Sequence, residues 1–329
     1  MDSSDFLHKA VLSGKIPEEL AIVIRNFYLS YHEAIAENGY TAAQVQPLLD
    51  KFLQLLIQQL EHPHVFEPFH KRIKSPFDYY HFGLDFIRPL IVFSRSTVQG
   101  IENLDAIEAA LAKGENVILL ANHQTEPDPQ AISLLLEKTH PKLAEEMIFV
   151  AGHRVITDPL AVPLSMGRNL LCIFSKRHIE TEPEFKSEKL NHNQKTMKIM
   201  TQLLREGGKC IYVAPSGGRD RPSLTGAIEV AKFDPQSIEM FCLIAQQSGR
   251  KTHFHPLALA TYDLLPPPNS IEKQLGERRH AHCTPIHLSF CKSLDMQHFP
   301  GSDHPDKRER RQNRADYIWG LVVSEYSSF

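Results

Sequence analysis

The chain has 329 residues, of which 42% are hydrophobic and 23% charged, and a formal net charge of −3. That length predicts one large or two unequal domains, and the composition is that of a globular protein. The slight negative charge excludes a global basic field of the kind that binds nucleic acid, so any anion must be recognised by local patches.

Cys172, Cys210, Cys242, Cys283 and Cys291 are scattered and form no C-x-x-C pair. Reduced thiols in a reducing compartment are expected, with no disulfide framework and no resident metal. The acidic start Met1-Asp2-Ser3-Ser4-Asp5 carries no signal or transit pattern. The longest apolar stretch, Phe82 to Phe93, is broken by Asp85, Arg88 and Pro89, so no transmembrane segment is expected. These features predict a soluble, cytoplasmic protein.

In chain order, helices come first. Leu20, Val23, Ile24, Phe27, Tyr31 and Ile35 recur at helical spacing, and Val45, Leu48, Leu49, Phe52, Leu55, Leu56 and Leu60 do the same. Pro47 places the start of the second helix close to itself. A small helical bundle domain over 1–75 is the expectation. Its end is marked by Pro63, Pro68 and Pro76, with Lys71, Arg72 and Lys74 between them. After a helix over 77–87, strand and helix patterns alternate. Strands are predicted at 96–99, 116–121, 147–151, 170–174, 210–214, 252–261 and 284–290. Helices are predicted at 104–112, 129–138, 187–205, 235–247 and 305–326. Residues 76–329 therefore read as an α/β domain, a mixed, largely parallel sheet covered by helices.

One junction in that alternation carries chemistry. The apolar run Val117–Ala121 is followed by Asn122-His123-Gln124-Thr125-Glu126-Pro127-Asp128, and a helix follows from Pro129. A histidine leaving the C-terminal end of a strand lies where open α/β sheets hold ligands. An imidazole takes a proton from an alcohol near neutral pH if a carboxylate fixes its other nitrogen. Asp128, placed before Pro129, reads as the cap of the next helix with an oxygen to spare for His123. Taken singly, each residue has a plainer reading as a cap or a polar loop residue. The same spacing recurs at His153 and Asp158, again after an apolar run and before a proline. Spacing alone leaves both pairs open.

A second constellation suits an anion. Ser175-Lys176-Arg177-His178 follows one predicted strand, and Pro215-Ser216-Gly217-Gly218-Arg219-Asp220-Arg221 follows another. Paired glycines let the backbone turn, and arginine forks match phosphate oxygens. Asp220 reads as partial cancellation of that charge. The Gly-x₄-Gly-Lys-Ser/Thr spacing of a P-loop is absent.

These blocks resemble the soluble, plastid-type glycerol-3-phosphate acyltransferases. The resemblance runs through Asn122 to Pro129, Arg154-Val155-Ile156-Thr157-Asp158-Pro159-Leu160, Ser165 to Leu170, Ala214 to Pro222, Phe254 to Leu259 and Leu265-Pro266-Pro267-Pro268. It covers most of the chain after about residue 95 and, more weakly, the helical start. It implies a helical N-terminal domain, a larger α/β domain, and transfer of a fatty acyl group from acyl-[acyl carrier protein], or acyl-CoA, to the sn-1 hydroxyl of glycerol 3-phosphate. It implies His123 and Asp128 as the catalytic pair, and Arg177, His178, Arg219 and Arg221 as phosphate ligands. It also decides between the two His-x₄-Asp pairs, because the family needs no histidine at position 153. No cofactor is implied, and if this is a trimmed mature chain the resemblance implies the plastid stroma. Two departures stand out. Lys176-Arg177 replaces a pair of lysines, and Pro215-Ser216-Gly217-Gly218-Arg219 lacks the glutamate of the membrane-bound enzymes. The expected partner is the acidic carrier protein, met by Lys71, Arg72 and Lys74 or by Lys307, Arg308, Arg310, Arg311 and Arg314. Peripheral membrane contact would serve product release. The competing readings are a metal-dependent hydrolase or thioesterase using His123, Asp128, His153 and Asp158, with His280, His282 and Cys283 as further ligand types, and a non-catalytic phosphate- or lipid-binding module.

Overall fold

The computed structural model describes residues 3–181, 183–268 and 278–329, without the side chains of Ser3, Ser4, Asp5, Lys176, Arg177 and Thr181. The chain starts with α1 (Ser3–Leu12), α2 (Glu18–Glu37) and α3 (Ala42–Glu61). Ile24, Phe27, Tyr31 and Ile35 of α2 and Val45, Leu49, Phe52 and Leu56 of α3 are buried, as their spacing requires. The start of α3 differs from expectation, because Pro47 lies inside the helix. Thr41 and Gln44 form a capping box that satisfies amides at the true start. Pro47 then forfeits one bond, to the Ala43 carbonyl, near the helix end where the cost is smallest.

A short strand, β1 (Phe69–His70), lies in the proline-punctuated stretch. It is followed by α4 (Tyr79–Ile87), β2 (Thr97–Gln99), α5 (Ile101–Ala112), β3 (Asn116–Ala121), α6 (Asp128–Leu136), α7 (Pro141–Glu146) and β4 (Ile148–Gly152). Next come α8 (Val162–Ser165), β5 (Asn169–Ile173), α9 (Lys176–Thr181), α10 (Lys186–Glu206) and β6 (Cys210–Val213). The hairpin β7 (Arg221–Pro222) and β8 (Ile228–Glu229) precedes α11 (Pro235–Ser248), β9 (Thr252–Ala260), β10 (His287–Phe290) and α12 (Lys307–Tyr326). The predicted long elements all occur. Those without a prediction, β1, α7, α8, α9 and the hairpin, are too short to show a period.

The sheet runs β1-β5-β4-β6-β3-β9-β10-β2. Strands β5, β4, β6, β3 and β9 are mutually parallel, while β1 and β10 each join antiparallel to a neighbour. This is the mixed, largely parallel sheet that the alternation predicts. Its five parallel strands end at one edge, so His123, His153, Ser175, Ser216 and Thr261 all leave the sheet on the same side.

Alternate side chains of β3 divide between two cores. Val117, Leu119 and Ala121 face α2, α3, α4 and α6, whereas Ile118 and Leu120 face α10, α11 and α12. Burial on both faces explains why β3 reads as an unbroken apolar run. The N-terminal helices share one continuous apolar core with the first face. They stand against the sheet beside the segment that carries His123. Among the described residues no helix is long and apolar enough to cross a membrane.

Candidate active site

The loop after β3 turns back on itself because Asp128 gathers its donors. His123 Nδ1 lies 2.7 Å from Asp128 Oδ2, and the Gln124 amide donates to the same oxygen at 2.9 Å. The Thr125 amide and the Thr261 hydroxyl donate to Oδ1 at 3.3 and 2.6 Å. Asp128 is 1% exposed and meets only donors. That network assigns the proton of His123 to Nδ1 and leaves Nε2 as the basic nitrogen. Nε2 has no hydrogen-bond partner among the described residues, and the side chain is 28% exposed.

Asp128 is not the helix cap that the sequence suggests. The helix begins at Asp128 itself, after Pro127, and no side chain caps it. The carboxylate instead closes the preceding loop, so both its oxygens serve the histidine segment.

The loop after β6 joins this segment directly. The Asp220 amide donates to the His123 carbonyl at 2.7 Å. The Asp220 side chain is wholly buried and accepts from Asn122 at 2.8 Å, Gln124 at 3.2 Å and the Ala231 amide at 2.9 Å. Burial raises its pKa above the usual carboxylate value, while the three donors pull it back. The sequence reading of Asp220 as a counter-charge on the loop surface is thus corrected, since it points into the protein. Its neighbours Arg219 and Arg221 are half-buried. Arg221 Nη1 donates to the Pro268 carbonyl at 2.6 Å, and both guanidinium groups act on the Tyr262 phenol. Of the paired glycines, only Gly217 needs to be glycine, with φ of +67°.

The loop after β5 stands further off. Segment 176–181 is the helix α9, where a loop was expected. Arg177 lies outside the described side chains. The His178 Nδ1 is 3.0 Å from the Ser175 hydroxyl, and its ring is 5.6 Å from that of His153. Strands β4 and β6 separate β5 from β3. At about 4.8 Å per strand the gap at the sheet edge is roughly 14 Å. The arginine loop follows β6, the direct neighbour of β3, and is tied to the His123 segment through the Asp220 amide.

The second His-x₄-Asp pair meets a different fate. Asp158 is 2% exposed and accepts from the Leu160 amide at 2.9 Å and from Arg279 at 3.3 Å. Arg279 also forks onto Glu126, at 2.9 to 3.2 Å. The guanidinium therefore ties the His123 segment to the Asp158 segment. Beside it runs a narrow apolar slot lined by Phe27, Phe52, Phe86, Leu160 and Leu164, with Glu126, Pro127 and Arg279 also in its wall. Sequence reasoning missed Asn122, Gln124, Thr261 and Arg279. Two buried amides directly after an apolar run, Asn122 and Gln124, were the available signal.

Among the described residues no group of three or more His, Cys, Asp or Glu side chains converges as a metal site. His280 and His282 lie ring to ring at 4.7 Å. Of the basic clusters, Arg72 and Lys74 share Glu145, and Arg311 and Arg314 share Glu239.

The acyltransferase family model matches residues 95–260. The chain is 44% identical over 269 residues to a chloroplastic glycerol-3-phosphate acyltransferase of Spinacia oleracea, covering 81% of this chain and 57% of that protein. It is 40% identical to the chloroplastic glycerol-3-phosphate acyltransferases of Cucurbita moschata (ATS12) and Arabidopsis thaliana, covering 98% and 97% of this chain and 70% of each of those. A solved 1-acyl-sn-glycerophosphate acyltransferase of Thermotoga maritima is 15% identical, with a TM-score of 0.44 over 94% of this chain and 97% of that one.

Proposed function

The chain belongs to the glycerol-3-phosphate acyltransferases, and we propose that it moves a fatty acyl group from an acyl-[acyl carrier protein] thioester to the sn-1 hydroxyl of glycerol 3-phosphate, with His123 as the base. The observation that carries this reading is the junction of two half-sites. A histidine whose ring is held by a buried carboxylate accepts, at its main-chain carbonyl, a hydrogen bond from a loop that bears two arginines.

Arg219 and Arg221 grip the phosphate, and Arg177 and His178 close on it from the β5 side. The sn-1 hydroxyl then lies against Nε2 of His123. Nε2 takes the proton as the oxygen attacks the thioester carbon. The tetrahedral intermediate collapses, the C–S bond breaks, and the departing sulfur takes the proton back from the imidazolium. Asp128 holds the ring and offsets its charge, a role worth roughly 10⁴ in rate where serine-protease triads have been dissected. These steps need no cofactor, and the chain has no Gly-x-Ser-x-Gly elbow for an acyl-enzyme. The amides of Gln124 and Thr125 are committed to Asp128, so the thioester oxyanion takes its donors from elsewhere in the crevice.

The alkyl chain runs into the apolar slot beside Pro127, which has to widen by side-chain rotation to admit it. The resemblance supports the carrier-bound donor, and the chloroplastic relatives support a plastid location. The product, 1-acyl-sn-glycerol 3-phosphate, is amphipathic and leaves at a membrane surface. Thiol release from acyl-[acyl carrier protein] and from acyl-CoA, with and without glycerol 3-phosphate, tests the reading. Acceptor-dependent release with the carrier-bound donor is expected. Release that ignores the acceptor would identify a thioesterase, and acceptor binding without release would identify a binding module.

A further inference from the structure

We infer that Asp220 is a positioning residue that fixes the separation between the phosphate grip and the base, so that phosphate binding is converted into turnover. The inference rests on the acceptor assignment above.

Asp220 closes a ring of hydrogen bonds that passes through the reacting group. Its amide holds the His123 carbonyl, and His123 Nδ1 meets Asp128. Asp128 accepts from the Thr261 hydroxyl, and the Thr261 amide donates to Gln124 Oε1 at 2.6 Å. Gln124 Nε2 returns to the Asp220 carboxylate. Asn122, on the other side of His123, adds a second tie to the same carboxylate oxygen and two more to Leu259, at 2.8 and 2.9 Å. The other oxygen holds Ala231, beyond the hairpin that continues from Arg221. The ends of β3, β6 and β9 are thus registered on one side chain, which lies between the two arginines in sequence.

Packing alone does not call for a carboxylate here. An apolar side chain fills buried space without the cost of desolvating a charge. What the carboxylate adds is acceptor capacity for three separate donors. An asparagine cannot supply this, because its NH₂ would face at least one of them. Asn122 and Gln124 flank the histidine, so a shift of the Asp220 loop moves His123 and the arginines relative to each other. Displacement of a reacting group by about 1 Å costs on the order of 10² in rate.

The test compares two acceptors, glycerol 3-phosphate and glycerol. Only the first is placed through its phosphate. In Asp220→Asn the preference in kcat/KM for glycerol 3-phosphate over glycerol falls on the order of 10². The Kd of glycerol 3-phosphate, measured by calorimetry, stays within about threefold and shows that the site is still folded. Asp220→Glu keeps the charge but lengthens the tie, and shows the same loss of preference. Equal slowing with both acceptors would make Asp220 a structural residue and overturn the inference. Loss of phosphate affinity with the glycerol rate intact would place it in the grip itself and overturn it too. If Asp220→Asn does not fold, Asp220→Glu decides by the same criteria. If neither folds, the residue is structural and the inference falls. A wild-type chain that transfers to neither acceptor overturns the functional reading first.

Discussion

Two segments of this chain share a sequence pattern and a place in the fold, yet their carboxylates are held by different partners. His123 to Asp128 and His153 to Asp158 both follow parallel strands and leave the same edge of the sheet. In the first, the carboxylate gives one oxygen to the imidazole and draws in two amides of its own loop. In the second, the carboxylate goes to Arg279 and to the turn that leads into Leu160 and Leu164. The first segment holds an imidazole against a buried carboxylate, the arrangement proposed for the base, whereas the second leads into Leu160 and Leu164 in the wall of an apolar slot. The spacing of a histidine and an aspartate decides nothing until the donors around the carboxylate are counted.

The sharpest way to break this comparison is to neutralise both aspartates. Asp128→Asn removes the acceptor that fixes the tautomer, and kcat should fall by roughly 10⁴ with the glycerol 3-phosphate KM little changed. Asp158→Asn should cost less than about tenfold in kcat. Steady-state kinetics of the pair checks this, and comparable losses would erase the distinction.

A second test separates the base from the phosphate grip. Arg219→Ala should raise the KM for glycerol 3-phosphate on the order of 10², because a charge-assisted bidentate contact is worth about 1.5–3 kcal/mol. An unchanged KM would remove Arg219 from the site.

A third sharpens the role of the second segment. Leu164→Trp narrows the slot and should shift preference toward shorter acyl donors, by about tenfold between long and short chains. Competition between donors of different length reads it directly. A variant with unchanged selectivity would put the alkyl chain elsewhere.

The smallest effect distinguishes histidines that hold the fold from those of the crevice. His70 and His255 are buried, which lowers their pKa below the ordinary value, and each ring meets a carbonyl, of Met166 and Cys291. The unfolded chain takes up their protons near pH of about 6.5, and the folded chain only at lower pH. Between those limits the unfolded state binds more protons, so stability falls as pH drops. Tm should decline from pH 7 to pH 5, and His255→Asn should flatten the decline if the variant folds. An equally steep decline would place the pH sensitivity in other groups.

The frame was legible because the long elements carry their own signals. The five apolar residues Val117–Ala121, followed by polar residues and a proline at a helix start, announce a strand end bearing a histidine. Only the cap reading of position 128 failed, because an aspartate before proline reads as a cap, and only the folded loop reveals amides of Gln124 and Thr125 turned toward it. Asp220 was misread for a deeper reason. Its partners Asn122 and Gln124 are 98 and 96 residues away in sequence, and nothing local predicts that strands β3 and β6 pair. The slot escaped notice likewise, since its walls come from α2, α3, α4 and the turn after Asp158.

The central claim is that the environment, and not the spacing, selects the base. Single-turnover acyl transfer to glycerol 3-phosphate by His123→Ala and His153→Ala, measured side by side, tests it most directly. The account predicts that the rate falls by roughly 10⁴ in the first and stays within about tenfold of wild type in the second. Equal losses, or a larger loss at His153, would contradict it.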